Sequence, residues 1–429
     1  MEGSVDVINF VFEDLENRKN FIGYYDELGP KRFGPSAIAG SIKNYRIHSS
    51  LENYFDMSKE LDHCIIATGL GESPDHWAGT DYYKDNIRFS LFDYLSEDQL
   101  TRLQNKKAIL LLDQCLEGYQ TPWLWQFFHE ECKRYNLDPA CLVYVTGNML
   151  AADQYSMWAQ NRSVTSKIKV LSYPHFERDI QLIAKNNNLS PSIAANIEYK
   201  RYNITKVRTY NCLNKRTRAH RSWFYLMLYK EGLLNKGLVS ANDYGGHIPR
   251  IEGQWPDQRL MEEARKLLPL LVYETPNNEK DDLYYINRIM DQIYLDTWVT
   301  VVSEASFSDQ DETVFISEKT FKPIACMHPF IILGNRGSLK KLKEMGYKTF
   351  HPFINETYDD LPTFDRFDAI IKEIKRIDSI PDKAKWYDSI RDILEHNYQI
   401  LNKRDTEPPL AHVELFNYYN NYFNLCTTE

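Results

Sequence analysis

Short, uninterrupted apolar runs, each closed by turn residues, limit what this chain can fold into. His63-Cys-Ile-Ile-Ala-Thr68 leads into Gly69-Leu-Gly71, Ala108-Ile-Leu-Leu-Leu-Asp113 into Glu117-Gly118, and Leu142-Val-Tyr-Val-Thr146 into Gly147-Asn148. Lys167–Leu171 makes a fourth run. A strand with one wet face alternates apolar and polar residues. These runs do not alternate, so both faces are expected to be covered, as in a parallel sheet between layers of helix. The intervals hold helix-like stretches, such as Thr121–Tyr135 with its Trp and Phe residues. Strands alternating with helices predict an α/β fold.

Between Leu182 and Ala195 the pattern dissolves into Lys185-Asn-Asn-Asn188 and Ser190-Pro-Ser192, which marks a domain boundary. A second α/β series follows. Val207–Leu213 reads as a strand, Asn214-Lys-Arg216 as a turn, and Ala219–Leu234 as a helix with Gly232 and Gly237 near its end, where C-caps belong. Leu238–Ser240, Trp298–Ser303, Val314–Ile316, Phe330–Leu333 and Lys348–Phe350 read as strands, and Lys319–Met327 and Ser338–Met345 as helices. From Phe364 to about Asn402 the chain reads as charged helix. The expected architecture is two Rossmann-like, doubly wound domains facing a central cleft. They cover residues 1–195 and 205–380, and a helical segment, 381–429, is placed to pack back on the first. At 429 residues the chain has the length for two or three such cores.

Composition narrows the function. No stretch approaches the roughly 20 apolar residues of a membrane span. The acidic start, Met1-Glu-Gly-Ser-Val-Asp6, has no signal-peptide pattern, and the seven scattered cysteines form no C-x-x-C pair. Cytoplasm is therefore the expected compartment, a host cell's if the chain is viral. A net charge of −9 argues against a polycation drawn wholesale onto nucleic acid, and leaves room for a local basic groove.

In open parallel sheets ligands bind beyond the carboxyl ends of the strands. There the first series places Glu72, Asp75 and His76, then Asp113 and Glu117, then Asn148 and Asp153. The second places Asn214, Lys215 and Arg216, then Ser303 and Glu304, Glu318 and Lys319, and Asn335 and Arg336. Such residues also cap helices, so position alone does not make a site. Charge is more telling. Lys200–Arg221 carries eight Lys or Arg residues plus His220, and no Asp or Glu occurs from Tyr199 to Lys230. Its centre, Asn214–Arg221, spans a strand-to-helix turn, where unpaired N–H groups and guanidinium groups suit a diphosphate. Cations at a helix start oppose the macrodipole unless an anion arrives. A second segment, Phe315–Ile324, places Glu318 and Lys319 at a helix start capped by Ser317, with Lys322 one turn on. A carboxylate there can accept two ribose hydroxyls and an ammonium can meet a phosphate. Pro323 predicts a kink or an early break of that helix.

The stretches Asn211–Arg221, Leu233–Ser240, Ser303-Glu304, Ile316–Ile324 and His328–Gly334 resemble the C-terminal half of glycosyltransferases with two Rossmann domains (the GT-B type). They are most similar to fucosyltransferase- and exostosin-like enzymes and to relatives in tailed bacteriophages and other large DNA viruses. The likeness covers roughly residues 205–350. It implies a UDP- or GDP-linked sugar as co-substrate in the second domain, held by Asn214, Lys215, Arg216, Arg221, Ser303, Glu304, Glu318, Lys319 and Lys322. Arg216 or Lys215 would meet the diphosphate, and Glu318 and Lys319 the ribose and phosphate.

The first domain matches no family motif. An inverting transfer needs a base near the acceptor hydroxyl, for which Glu117 is favoured over Asp75, His76 and Glu27; a retaining transfer needs none. The acceptor stays open between a hydroxymethylated base in double-stranded viral DNA, slightly favoured and served by Lys31, Arg32 and Lys43, and a glycan or lipid-linked glycan. A binding protein for nucleotide or nucleic acid without catalysis is the alternative of another class, and a metal-dependent nucleotidyl- or phosphotransferase is a third. Asp309-Gln-Asp311 has the D-x-D form of metal-binding glycosyltransferases but precedes a strand, so no obligatory metal is expected. Gly346-Tyr-Lys-Thr349 lacks the upstream glycine of a phosphate loop.

Overall fold

The computed structural model describes residues 8–12, 33–34, 45–48, 62–70, 92, 95–118, 123–186, 196, 198–200, 203–214, 216–272, 289–307, 313–403 and 409–424. The chain divides into two units, Met1–His175 with Glu407–Glu429, and Phe176–Thr406. Both are α/β, each with a parallel sheet flanked by helices.

The first unit holds strands β1 (Ile8–Phe12), β2 (Phe33–Gly34), β3 (Tyr45–His48), β4 (Cys64–Leu70), β5 (Ala108–Gln114), β6 (Leu142–Thr146) and β7 (Lys169–Ser172). Their order is β3-β1-β4-β5-β6-β7, all parallel, with β2 antiparallel to the end of β4. The direction of winding reverses between β1 and β4. Helices α1 (Glu97–Gln104), α2 (Leu124–Arg134) and α3 (Ala151–Asn161) make the crossovers from β4 to β7.

Why the strand runs do not alternate is visible in the core. Cys64, Ile66, Leu110, Leu112, Leu142 and Tyr144 pack against α1–α3 through Leu103, Phe127, Phe128, Tyr155 and Ala159. The residues between them, Ile65, Ala67, Ile109, Leu111, Val143 and Val145, pack on the opposite face against Ala411, Leu415, Tyr419 and Phe423. The first three of these lie on the chain's last described helix, which belongs to the first unit, whereas 381–403 belongs to the second. Each aliphatic side chain so buried contributes about 1.5–3 kcal/mol.

The second unit opens with α4 (His175–Asn186), which starts one residue before the division between units and extends into the segment read from sequence as a boundary. Its sheet holds β8 (Arg208–Asn214), β9 (Gly237–Ala241), β10 (Thr297–Ser303) and β11 (Phe330–Leu333), all parallel, in the order β11-β10-β8-β9. Winding reverses between β8 and β10. Helices α5 (Ala219–Lys230), α6 (Gln258–Arg265), α7 (Asp291–Asp296), α8 (Glu318–Ala325) and α9 (Ser338–Glu344) follow one another along this sheet, and α10 (Thr363–Asp378) packs on β8, β11 and α5. The charged tail, read as one helical stretch, comprises α10, α11 (Lys383–Ser389) and α12 (Arg391–Lys403); α13 (Leu410–Tyr422) completes the first unit.

Two segments expected as strands are not strands. Val314–Ile316 and Lys348–Phe350 pair with no strand among the described residues, and side chains hold N–H groups in or next to both. Phe315 N donates to Asn335 Oδ1 at 3.4 Å, and Ser317 N to the Glu304 carboxylate at 3.2 Å. Lys348 N donates to Asn397 Oδ1 at 2.8 Å and Phe350 N to Glu356 Oε1 at 2.5 Å. α8 contains Pro323 and stops at Ala325, two residues short of the expected end, where Cys326 N and His328 N close the turn on the Pro323 carbonyl. Gly237 is dictated by close approach, because a Cβ there would lie 2.5 Å from the Tyr210 ring.

Candidate functional site

The reversal of winding between β8 and β10 opens a gap at the carboxyl ends of these strands, where no crossover helix covers both. Asn214 ends β8 and Ser303 ends β10. The strand register pairs Asn211 with Thr300, whose side chains share a 2.9 Å hydrogen bond on one face. Three residues on, Asn214 and Ser303 therefore stand side by side at the sheet edge.

Glu304 organises this edge. Its carboxylate is fully buried and accepts from Ala305 N (3.1 Å), Ser317 N (3.2 Å), Ser317 Oγ (2.5 Å) and Thr320 Oγ1 (2.6 Å). Its backbone carbonyl accepts from Arg221 Nη2 at 2.9 Å and His220 Nε2 at 3.1 Å, which fixes the imidazole with its proton on Nε2. One residue thus joins the end of β10 to the starts of α5 and α8. The oxygens of Glu304, expected among the donor contacts, hold Ala305, Ser317, Thr320, His220 and Arg221 in place.

At the start of α8, Ser317 caps Lys319 N, and Lys319 Nζ lies 2.5 Å from Glu318 Oε1. Burial raises the Glu318 pKa, but Lys319 and Lys322 together bring it below the ordinary carboxylate value. Lys322 is brought down to about 8, by burial first and by Lys319 next, against the pull of Glu318. At the start of α5, Arg218 is the N-cap and offers no side-chain cap, so the first N–H groups of the helix are left for another acceptor. Arg221 is buried, and its guanidinium donates to the carbonyls of Arg216 (3.2 Å), Ser303 (3.2 Å) and Glu304 (2.9 Å). Burial, then Arg218, brings its pKa down to about 10. Arg216 and Arg218 themselves are exposed.

Four buried polar atoms along this edge have no hydrogen-bond partner: Asn214 Oδ1, Arg221 Nε, Ser303 Oγ and Asn335 Nδ2. Their residues expose between 2 and 6 % of their surface, Ser303 and Asn335 2 % each. A buried unpaired polar group costs about 1–3 kcal/mol, and these four lie at the ends of β8 and β10, at the start of α5 and just after β11.

Of the expected donor residues the structure gathers Asn214, Arg216, Arg221, Ser303, Glu304, Glu318, Lys319 and Lys322 in the second unit, at the ends of β8 and β10 and the starts of α5 and α8. Lys215 lies outside the described residues, as do Asp75, His76, Glu27, Lys31, Arg32, Lys43, Asp309 and Asp311. Glu117 belongs to the first unit, in the turn after β5. Its carbonyl accepts from Gly147 N at 3.0 Å, tying that turn to the one after β6, and its side chain is half-buried. Beside it Asp113 is buried and holds Cys115 N at 2.9 Å. Thr68, at the carboxyl end of β4, has a buried hydroxyl without a partner.

Sequence reading did not single out Phe307 and Arg366. His220 stacks on Phe307 (centroids 5.0 Å apart, planes at 8°), and Phe307 stacks on Phe367 (5.4 Å, 15°). Arg366, 1 % exposed, stands over the Phe307 ring at 5.3 Å and donates to the carbonyls of Gly334 and Leu361. Burial and then Arg221 hold the His220 pKa down at about 3, so this imidazole stays neutral. Among the described residues no helix is long and apolar enough to cross a membrane, and no three His, Cys, Asp or Glu side chains gather as a metal site.

No protein-family model matches the sequence, and no curated protein matches it. Solved structures do resemble it. The α,α-trehalose 6-phosphate synthase of Burkholderia multivorans superposes with a TM-score of 0.44 at 10% identity, covering 99% of this chain and 100% of that one. The UDP-forming α,α-trehalose-phosphate synthase of Burkholderia xenovorans gives 0.42 at 8%, covering 98% and 100%. The UDP-GlcNAc 2-epimerase of Neisseria meningitidis, bound to UDP-GlcNAc, gives 0.33 at 11%, covering 85% and 79%.

Proposed function

We propose that this chain is a nucleotide-sugar-dependent glycosyltransferase of the two-Rossmann type, whose donor sits at the carboxyl edge of the second sheet between β8 and β10. The observation that carries the reading is the row of buried, unpartnered polar atoms on that edge, set among Arg221, Lys319 and Lys322. Water alone could satisfy the polar atoms but would not offset the cations; a diphosphate offsets the cations and can accept from Arg221 Nε, Ser303 Oγ and Asn335 Nδ2, while a hydroxyl of the same donor can donate to Asn214 Oδ1. In this assignment the start of α5, with Arg216 and Arg221, faces the diphosphate. Glu318 takes the ribose hydroxyls, and Lys319 and Lys322 meet phosphate oxygens.

Transfer breaks the bond between the sugar's anomeric carbon and the diphosphate oxygen and forms one to the acceptor oxygen, and the nucleoside diphosphate leaves. The cations stabilise the charge that develops on it. If the configuration inverts, the acceptor's proton passes to a base of the first unit, which we assign to Glu117, with Asp75 and His76 as alternatives. The acceptor is a hydroxyl of either a hydroxymethylated DNA base or a glycan.

Thermal unfolding with a panel of UDP- and GDP-linked sugars tests the donor site. A ligand at about 100 times its Kd adds about 2.7 kcal/mol, a rise of roughly 5–10 °C for a unit of this size. Ser303→Ala removes a hydroxyl that has no partner, so the ligand-free protein should unfold as before while the ligand-induced rise shrinks. Glu318→Ala should abolish it. No rise with any nucleotide sugar would overturn the donor site.

A further inference from the structure

A second concavity lies beside the edge strand of the second unit and is built from other residues. Between β9 and α6 the chain makes a long loop that turns through left-handed backbone at Gly245, Gly246, Glu252 and Gly253. At Gly246 a Cβ would also lie 2.9 Å from Arg265 Nη1. The loop is anchored at several points. Trp223 Nε1 donates to Pro249 O at 3.0 Å, Tyr244 Oη to Met261 O at 2.6 Å and Thr363 Oγ1 to Glu252 at 2.8 Å. Ile251 and Gln254 close a small antiparallel bridge. What this framework presents is Trp255, 61 % exposed, at the rim of a cleft of about 490 Å³. Tyr244, His247, Gln258, Glu262 and Arg265 line it with Trp255.

Glycine adopts left-handed backbone at no steric cost, so Gly245, Gly246 and Gly253 let the loop turn tightly and hold its shape around the cleft. An indole left in water forgoes a large burial gain, and the cleft is of the size that takes a small ligand. The charges around it decide the ligand's class. Arg265 is the one cation in the lining, and Asp243 neutralises it through a bidentate pair at 2.8 and 2.9 Å. Glu262 leaves the cleft with a negative balance, which repels phosphates, nucleotides and nucleic acid. A flat apolar face ringed by amide, carboxylate and imidazole groups suits a ring with C–H groups on its faces and hydroxyls on its edge.

We propose that this cleft binds a neutral saccharide, one pyranose ring stacking on Trp255 while Gln258, Glu262 and His247 meet its hydroxyls. The site does not depend on the donor reading, since it shares none of the donor residues.

The test is a fluorescence titration of the full chain with glucose, galactose, N-acetylglucosamine, maltose and cellobiose. At least one should change the tryptophan emission saturably, with a Kd in the low millimolar range. Trp255→Ala should weaken that Kd at least tenfold without lowering the melting temperature, and Trp255→Phe should retain part of it. Glu262→Gln serves as a second variant and should weaken binding too. Ser303→Ala, at the donor edge, should leave saccharide affinity unchanged, so failure of the donor reading and failure of this one are separable. No saturable response to any of the five sugars, a response indifferent to Trp255→Ala and Glu262→Gln, or tighter Trp255-dependent binding of uridine monophosphate would overturn the proposal.

Discussion

Replacing Glu304 by glutamine tests the claim that one buried carboxylate holds the donor edge together. In the native chain four donors converge on it: Ala305 N and Ser317 Oγ on Oε2, Thr320 Oγ1 on Oε1, and Ser317 N on both. Glutamine offers one acceptor and one NH2 in the same space. With nitrogen in the Oε2 position, the NH2 faces Ala305 N–H. With nitrogen in the Oε1 position, it leaves Thr320 able to turn its hydroxyl, but Ser317 N–H then depends on a single oxygen already shared with two other donors. Either way a buried donor is left unpaired or poorly paired, at about 1–3 kcal/mol, and charge-assisted bonds to the rest become neutral ones. A total loss of about 2–4 kcal/mol is expected, which corresponds to a fall of roughly 5–15 °C in the melting of the second unit. Because the same bonds set the position of Ser317–Lys319, nucleotide-sugar affinity should fall as well. Calorimetry with and without the nucleotide sugar measures both. A Glu304→Gln protein that melts within a degree of wild type, or that binds donor equally well, would refute the positioning role.

Two further outcomes follow from single residues. Lys322 has a folded-state pKa of about 8, below its ordinary value of 10.5, because of burial and then Lys319. Between those values the unfolded chain binds more protons than the folded one, so the lysine's contribution to stability should grow as pH rises from about 8 to 10.5. Anion affinity should move oppositely and weaken above pH 8; chemical denaturation and nucleotide titrations over that range check the two signs, and Lys322→Gln should flatten the binding profile. Gly237→Ala places a methyl 2.5–2.7 Å from the ring of Tyr210, which is buried and held by its hydroxyl to Leu233 O. The forced shift should cost about 1–3 kcal/mol, seen as a lower urea midpoint at an unchanged slope.

Much of the frame was legible in the residue order, for identifiable reasons. The runs at Ala108, Leu142, Trp298 and Phe330 became β5, β6, β10 and β11 because strands covered on both faces leave no polar interruption. Strands β1 and β3 escaped notice because Ile8–Phe12 is broken by Asn9, and Tyr45–His48 contains Arg46 and His48. Val314–Ile316 misled for the opposite reason. It is apolar, yet Phe315 N donates to the side chain of Asn335 and the next residue, Ser317, to that of Glu304, which no local pattern reveals. The helix that covers the second face of the first sheet carries Ala411, Leu415 and Tyr419 at four-residue spacing, a signal present in the sequence. Its return to the first domain was expected for the whole of 381–429; only the part from Glu407 onward belongs to that unit. The role of Glu304 was hidden because its partners Ser317 and Thr320 lie 13 and 16 residues on and Arg221 lies 83 back.

The pKa shifts at the second sheet are of the sign that a bound anion would reverse. Three cationic or potentially cationic groups on this edge, Arg221, His220 and Lys322, are all displaced toward neutrality, with burial as the first cause and a neighbouring cation as the second or third. Glu318 shifts the other way, drawn down by two lysines it cannot neutralise alone. A site shaped only for stability would not bury positive groups beside one another and direct a guanidinium solely at backbone carbonyls, since buried unpaired charge is among the costlier features a fold can carry. A diphosphate placed among them would reverse each displacement, raising the pKa of Lys322 and drawing a proton onto the protein near pH 8. Proton uptake on nucleotide-sugar binding, measured as a buffer-dependent binding enthalpy, is thus the electrostatic signature of the proposed donor site. Binding without proton uptake at that pH would place the phosphates elsewhere.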